Sequence, residues 1–315
     1  MIIKKHSRKS TRNHTRKNTR KSTRKNTRKS TRNNSISSNN NSTRKCTQPT
    51  SINYCQDKSS GGHQGTIFSI NKNTCIKKMS KINNEIIFYN KHKKLIDNGI
   101  TVLSDYIPKY NGICKLNDSN FFEMENLKGL FEQPLSIDIK LGYQTVSKKI
   151  IKNKTNKFFQ IYSKLAKHYI LDKFMTHSAK NGFRIEGVSL PNNLKFKKMD
   201  IMRGNYKTIF DYYFTNDINN KNLKLFIKQL IQLSHTIENS DFNRYFFIGA
   251  SILFTYDGLN TNNDPTLKLI DFENSLILEN ENDIKKNIEH ANSIRKSIKS
   301  LTSILTNYLE NKEKH

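Results

Sequence analysis

The chain has no tryptophan, only five prolines and twelve glycines among 315 residues, and no acidic residue before Asp57. Its longest apolar run, residues 245–254, is interrupted by Gly249 and Ser251 and falls far short of the ~20 residues that a membrane-spanning helix needs. The amino terminus carries basic residues but no apolar core of a secretory signal. These absences predict a soluble intracellular protein, cytoplasmic, nuclear or both, with no membrane span. Cys46, Cys55, Cys75 and Cys114 show no Cys-x-x-Cys spacing and no clustered histidines, which argues against zinc and predicts reduced thiols.

The apolar fraction is low, at 34%, because of the first part of the chain. Residues 11–34 repeat a tetrad, Thr-Arg-Lys-Asn or Thr-Arg-Lys-Ser with small variations, and a run of Asn and Ser follows to Asn41. No apolar period runs through this stretch, so it buries too little surface to offset its ordering entropy. Residues 1–58 are therefore expected to form a disordered basic tail. Of the 55 Lys and Arg residues, 16 lie in the first 50 positions, yet the remainder still carries an excess of about +13. A cationic chain concentrates polyanions around itself, and nucleic acid, anionic membrane and highly phosphorylated small molecules all qualify.

Past the tail, strand and helix periods alternate. Residues 66–70 and 74–79 read as a hairpin around Asn71-Lys72-Asn73, and residues 85–97 as an amphipathic helix closed by Asn98-Gly99. A strand pair at 106–114 and 121–125 completes a small lobe, 59–127. The larger lobe, 128–315, opens on a strand and continues with a helix at 157–174, a strand at 183–190, helices at 206–214 and 223–237, a strand pair at 245–256 and 267–272, and helices to about Leu309. The class is α+β, two-lobed, with a ligand expected between the lobes.

The most informative segment is Pro134-Leu135-Ser136-Ile137-Asp138-Ile139-Lys140-Leu141-Gly142. Ile137, Ile139 and Leu141 alternate with Ser136, Asp138 and Lys140, the period of a strand with one apolar and one polar face. Asp138 and Lys140 therefore point the same way. A carboxylate beside an ammonium on a rigid strand can accept a hydroxyl proton and neutralise a phosphoryl group. Lys77, on a strand within Cys75-Ile76-Lys77, has the address of a phosphate-holding lysine, with Lys78 next to it and Glu85 on the following helix as a partner. Asp271, ending the apolar strand Leu269-Ile270, has the address of a Mg²⁺-binding acid, with Glu273 as support or as a solvated neighbour.

The spacing Pro-x-x-x-Asp-x-Lys-x-Gly resembles the signature of the inositol polyphosphate kinase family, the inositol hexakisphosphate kinases included. Met124-Glu125-Asn126-Leu127, Gly182-Phe183-Arg184-Ile185-Glu186-Gly187, Gly249-Ala250-Ser251-Ile252-Leu253 and Leu269-Ile270-Asp271-Phe272 resemble further family stretches in the same order. The resemblance implies a two-lobed, protein-kinase-like or ATP-grasp-like fold and an ATP- and Mg²⁺-dependent transfer of the γ-phosphoryl group to an inositol phosphate, with a pyrophosphate product if the acceptor is already fully phosphorylated. It implies Asp138 and Lys140 as catalytic residues, Lys77, Glu85, Glu125, Asn126 and Ser251 around the nucleotide, Asp271 on the metal, and Lys148, Lys149, Lys152 and Lys154 toward the substrate. Two positions depart from the family pattern: Ala250 replaces a serine and Gln144 an arginine. A monomer is expected. The alternative reading is a polyanion- or nucleic-acid-binding protein with a weak or vestigial kinase-like domain, its motive being the tail.

Overall fold

The computed structural model describes residues 44–46, 67–79, 84–143, 178–190, 206–259 and 263–314. Residues Thr43–His315 form one compact unit. The helix expected at 157–174 and most of the tail lie outside the described residues.

The first sheet has the order β1-β2-β4-β3, built from β1 (Ile67–Ser69), β2 (Thr74–Lys78), β3 (Tyr110–Leu116) and β4 (Ser119–Glu125), all antiparallel. Helix α1 (Asn84–Asp97) packs Tyr89 against one face of this sheet, where it meets Tyr110 and Phe122. On the other face, Ile70, Ile76, Cys114 and Phe121 form a small separate core with Cys46. Arg44 to Cys46, inside the stretch expected to be tail, is fastened to β3 by the N–H of Cys46 to the carbonyl of Lys115 at 2.9 Å and the N–H of Lys115 to the carbonyl of Arg44 at 3.0 Å. An ion pair from Arg44 to Glu123 adds to this, and a disulfide joins Cys46 to Cys114. The expectation of reduced thiols therefore does not hold for these two cysteines. Sequence spacing gave no sign of the pair because its members are 68 positions apart and meet only once Lys45 pairs with Lys115. Cys75 is buried outside the disulfide, and its thiol donates to the Glu125 carbonyl at 3.5 Å.

The second main sheet has the order β6-β5-β8-β9: β5 (Pro134–Leu141), β6 (Phe183–Val188), β8 (Ser251–Asp257) and β9 (Thr266–Ile270). Behind it lie α2 (Ser178–Asn181), α3 (Tyr206–Tyr213), α4 (Lys221–Thr236) and α5 (Glu281–Glu313). Helix α4 buries Leu223, Phe226, Ile227, Leu230 and Leu233, a helical stripe, and Phe226 stacks on Phe254 of β8 with ring centroids 3.8 Å apart. Its orphan amides are met by Asp217, which accepts from the N–H groups of Asn222 and Leu223 at 2.8 and 2.9 Å. The expected closing helices are one continuous element, α5, with Ala291, Ile294, Ile298, Leu301 and Leu305 on its buried side. Among the described residues, no helix is long and apolar enough to cross a membrane.

The run 245–256, read as a single strand, divides instead. β7 (Tyr245–Phe246) pairs with β10 (Leu276–Ile277) in a separate ribbon, and β8 begins after Gly249, whose φ of +71° turns the chain. Apolar content is the same on both sides of the break, so only the glycine marks it.

Asp257 fixes where β5 starts. Its carboxylate accepts from the N–H groups of Glu132, Gln133 and Leu259 at 2.9, 3.1 and 3.1 Å. Removing it takes three part-buried N–H donors off their shared charged acceptor at the entry to the strand, each such hydrogen bond contributing about 0.5–3 kcal/mol. Asp257→Ala is expected to lower the unfolding free energy by about 2–4 kcal/mol, measured by urea titration.

Candidate active site

Strand β5 is hydrogen-bonded along both edges, to β6 and β8. Its Ile137, Ile139 and Leu141 are buried in the core, which puts Asp138 and Lys140 on the opposite face. Across the ladder, Ser251 stands opposite Lys140 and Leu253 opposite Asp138, while on the next strand Ile270 and Lys268 continue the same two rows. One sheet face thus gathers Asp138, Lys140, Ser251 and Lys268. On the β6 side the register shifts between Asp138 and Ile139, so that Glu186 and Gly187 together face Asp138. The bulge lets Arg184 and Glu186 share the polar side while Val188 returns to the core beside Ile137.

Asp271 follows β9 directly, with φ 68° and ψ 53°, the left-handed region that aspartate tolerates better than most residues. One of its carboxylate oxygens lies 3.9 Å from the Lys140 ammonium. From the other sheet, Lys77 Nζ donates to Glu85 Oε2 at 2.7 Å. The electrostatics tie these groups into one cluster. Burial lowers the pKa of the Lys77 ammonium, but Glu85, with Asp271 and Glu273 adding, raises it above its ordinary value. Burial raises the pKa of Glu85, and Lys77 offsets only part of that.

Asp138 is the most perturbed acid of the site. Burial first, then the Asp271 carboxylate, push it up to about 7, against the pull of Lys140. Its Oδ1 and the Ser251 Oγ are both buried without a hydrogen-bond partner among the described residues. Buried polar atoms left open in this way are what a ligand or ion completes. The donors here are oxygens, which suit a hard divalent cation. Among the described residues no three His, Cys, Asp or Glu side chains converge as a cage. That fits Mg²⁺, which takes one or two carboxylates and fills its shell from phosphate and water.

The remaining expected residues fall as follows. The Glu125 carboxylate, at the end of β4, accepts from the Lys109 N–H at 3.1 Å and pairs with Lys268 Nζ at 3.4 Å. The Asn126 amide donates to Ser69 Oγ at 3.1 Å and to the Asn71 carbonyl at 2.9 Å, and its oxygen accepts from the Lys128 N–H. Its side chain is thus engaged in fastening the β1–β2 hairpin to the link between the sheets. Lys148, Lys149, Lys152 and Lys154 lie outside the described residues. Lys268 was missed, whereas Arg184 lies in a stretch that the sequence singles out. Lys268 bridges the two sheets, from Glu125 to the Asp105 carbonyl at 3.1 Å. Arg184, fully buried, forks onto Glu186 Oε1 at 2.9 and 2.6 Å. Alternation places Lys268 on a polar face, but only the pairing of β9 with β8 shows that this is the face of Asp138.

Two antiparallel sheets, a helix-held lysine on one and an Asp–Lys strand with a terminal Asp on the other, define a kinase-like class of phosphoryl-transfer fold. Residues 121–306 match the family model for inositol polyphosphate kinase, and the chain belongs to that family. It is 25% identical over 225 residues to an inositol-trisphosphate 3-kinase homolog of Caenorhabditis elegans, covering 62% of this chain and 44% of that protein. It is 24% identical over 182 residues to inositol-trisphosphate 3-kinase C of Mus musculus, covering 49% of this chain and 26% of that protein. The chain thus spans less than half the length of these curated relatives. The crystal structure of the inositol phosphate multikinase Ipk2 from S. cerevisiae, in complex with ADP and Mn²⁺, shares the fold with a TM-score of 0.56 at 22% identity, over 75% of this chain and 99% of that one.

A raised acid pKa has a stability signature. Asp138 binds its proton more tightly when folded than an unfolded aspartate does, so between about pH 4 and pH 7 the folded state holds the extra proton and stability falls as pH rises. Asp138→Asn is therefore expected to be more stable than the parent at pH 8, by at most about 4 kcal/mol, and to lose that advantage below about pH 4. Thermal melts of both proteins across that range check it.

Proposed function

We propose that this chain is an ATP-dependent inositol polyphosphate kinase that transfers the γ-phosphoryl group to an inositol phosphate. The observation that supports it most is the placement of Asp138 and Lys140 side by side on β5, with Asp271 3.9 Å from the Lys140 ammonium. Lys77, held by Glu85, meets the nucleotide phosphates. Lys140 neutralises the phosphoryl group in transit, and Asp138 orients the attacking hydroxyl and accepts its proton. Bound Mg²⁺ would rest on Asp271 with Ser251 and the open Asp138 oxygen near it, and would supply counter-charge to the phosphates. Where the acceptor is an already phosphorylated oxygen, the same residues serve formation of a pyrophosphate.

Incubation of the full chain with Mg²⁺, labelled ATP and a panel of inositol phosphates tests the reading. Label is expected on at least one member of the panel, and Asp138→Asn is expected to lose about 10²- to 10⁴-fold in kcat with its fold intact by circular dichroism. Full turnover by that variant would remove Asp138 from the role of base, and a blank across the panel would remove the activity.

The density of positive charge before Asp57 favours a second capacity, retention of a polyanion such as nucleic acid through the amino-terminal segment. No aromatic residue interleaves the tetrads, so the contact is to phosphate rather than to bases. Because Arg44 and Cys46 are fastened to β3, the informative truncation removes residues 1–42 and spares them. It is expected to keep kinase turnover and to abolish retention on a nucleic-acid column at about 0.15 M salt, with a shallower salt dependence of any residual binding.

A further inference from the structure

Asp271 holds a left-handed backbone although it is not glycine. Such a conformation persists where the surroundings over-determine it. The adjoining residue supplies the constraint. Phe272 is fully buried, and its ring lies flat on Phe88 of α1, with centroids 4.2 Å apart and planes 10° from parallel. Tyr89 meets the same ring edge-on at 5.7 Å, and Phe247 backs it at 5.8 Å. Phe88 and Tyr89 stand three and four residues after Glu85, on the same side of the helix. That helix side also carries the carboxylate that grips Lys77. One aromatic stack therefore connects the strand end that presents Asp271 to the helix that presents Glu85 and Lys77.

We propose that Phe272 and Phe88 are positioning residues, a stack that sets Asp271 and the Lys77–Glu85 pair at a fixed separation across the cleft. Neither ring carries a polar atom to offer a ligand, so the action is exerted entirely through the residues each one holds. A mere filler of the core predicts that trimming Phe88 lowers stability and nothing else. A positioning role predicts that a change on α1 is felt at Asp271. The inference rests on the proposed kinase activity only in its kinetic arm, since the backbone coupling is measurable without any ligand.

Hydrogen exchange with mass spectrometry on the full, ligand-free chain tests the coupling. Phe88→Leu is expected to speed exchange in the peptide over 85–92 and also in the peptide over 270–275. Leu230→Ala in α4, a buried residue far from the stack in the chain, serves as a stability control and is expected to leave the 270–275 peptide unchanged. Phe88→Met replaces Phe88→Leu if the latter does not fold. In turnover assays, Phe88→Leu is expected to raise the KM for ATP and the Mg²⁺ concentration at half-maximal rate by about 10-fold, with the KM for the inositol phosphate little changed. Faster exchange confined to 85–92 overturns the proposal, as does a folded Phe88→Leu with parental ATP and Mg²⁺ dependence. Coupled exchange in a chain that turns over no inositol phosphate upholds the positioning stack and removes the kinase reading instead.

Discussion

The register of β5 is the constraint on which the rest of the site depends. Because side chains alternate with a period of two, a slip of one residue would turn Ile137 and Ile139 into the cleft and bury Asp138 and Lys140 in the core. The fold resists this from three directions. Both edges of the strand are paired, the Asp257 carboxylate clamps the backbone just before it, and Gly142, with φ +98°, ends it directly after Leu141. The apolar face supplies the driving force, since each buried Ile or Leu contributes about 1.5–3 kcal/mol that a slipped register forfeits. Two polar residues are thus held in place by the three apolar ones between and beside them.

Lys77 and Lys140 are held in different ways, and the difference suits different tasks. Lys77 is locked by a short, largely buried pair with Glu85, a geometry that keeps the ammonium charged and stationary. Breaking such a pair is costly because it leaves a buried charge uncompensated. Lys140 has a longer, half-exposed contact with Asp271. At 3.9 Å that contact costs little to loosen, so the Lys140 ammonium is available to an arriving anion. A fixed cation to hold a phosphate and a freer one to follow a moving charge is the division of labour that phosphoryl transfer calls for.

What could be read from the sequence was what is local. The alternation of Ile137 to Leu141 placed Asp138 and Lys140 on one face, the apolar stripe of residues 85–97 gave α1, and Leu269-Ile270 before Asp271 gave a strand end. These signals lie within a few residues of each other. What could not be read depends on pairing. Nothing within Thr266 to Ile270 states that it lies beside β8, so Lys268 stayed invisible as a cleft residue, as did the bulge that brings Glu186 toward Asp138. The disulfide of Cys46 with Cys114 escaped for the same reason, and the division of 245–256 between two sheets turned on a single glycine. Asn126 carries a further task that only pairing shows: beside its expected place near a ligand, its amide donates to Ser69 and Asn71 and so ties down the β1–β2 hairpin.

The charge of the chain and the charge of its cleft run in opposite directions. Beyond the tail the protein keeps an excess of about +13, a field that draws polyanions in over distances up to about 8–10 Å at moderate salt. Within the described cleft, however, Glu85, Asp138, Asp271 and Glu273 outnumber Lys77, Lys140 and Lys268, and that crowding adds to burial, the larger cause, in raising the pKa of both Asp138 and Glu85. Carboxylates packed this closely repel a phosphorylated ligand unless further positive charge stands between them. A site of this kind is therefore built incomplete, attractive from afar and unfavourable to a bare anion at contact, so that a phosphate is accommodated there only together with a counter-cation. Burial, with the Asp271 carboxylate adding, keeps Asp138 near the point where it exchanges its proton at neutral pH, so the arrangement that disfavours a bare anion is also the one that sets the protonation of this carboxyl group.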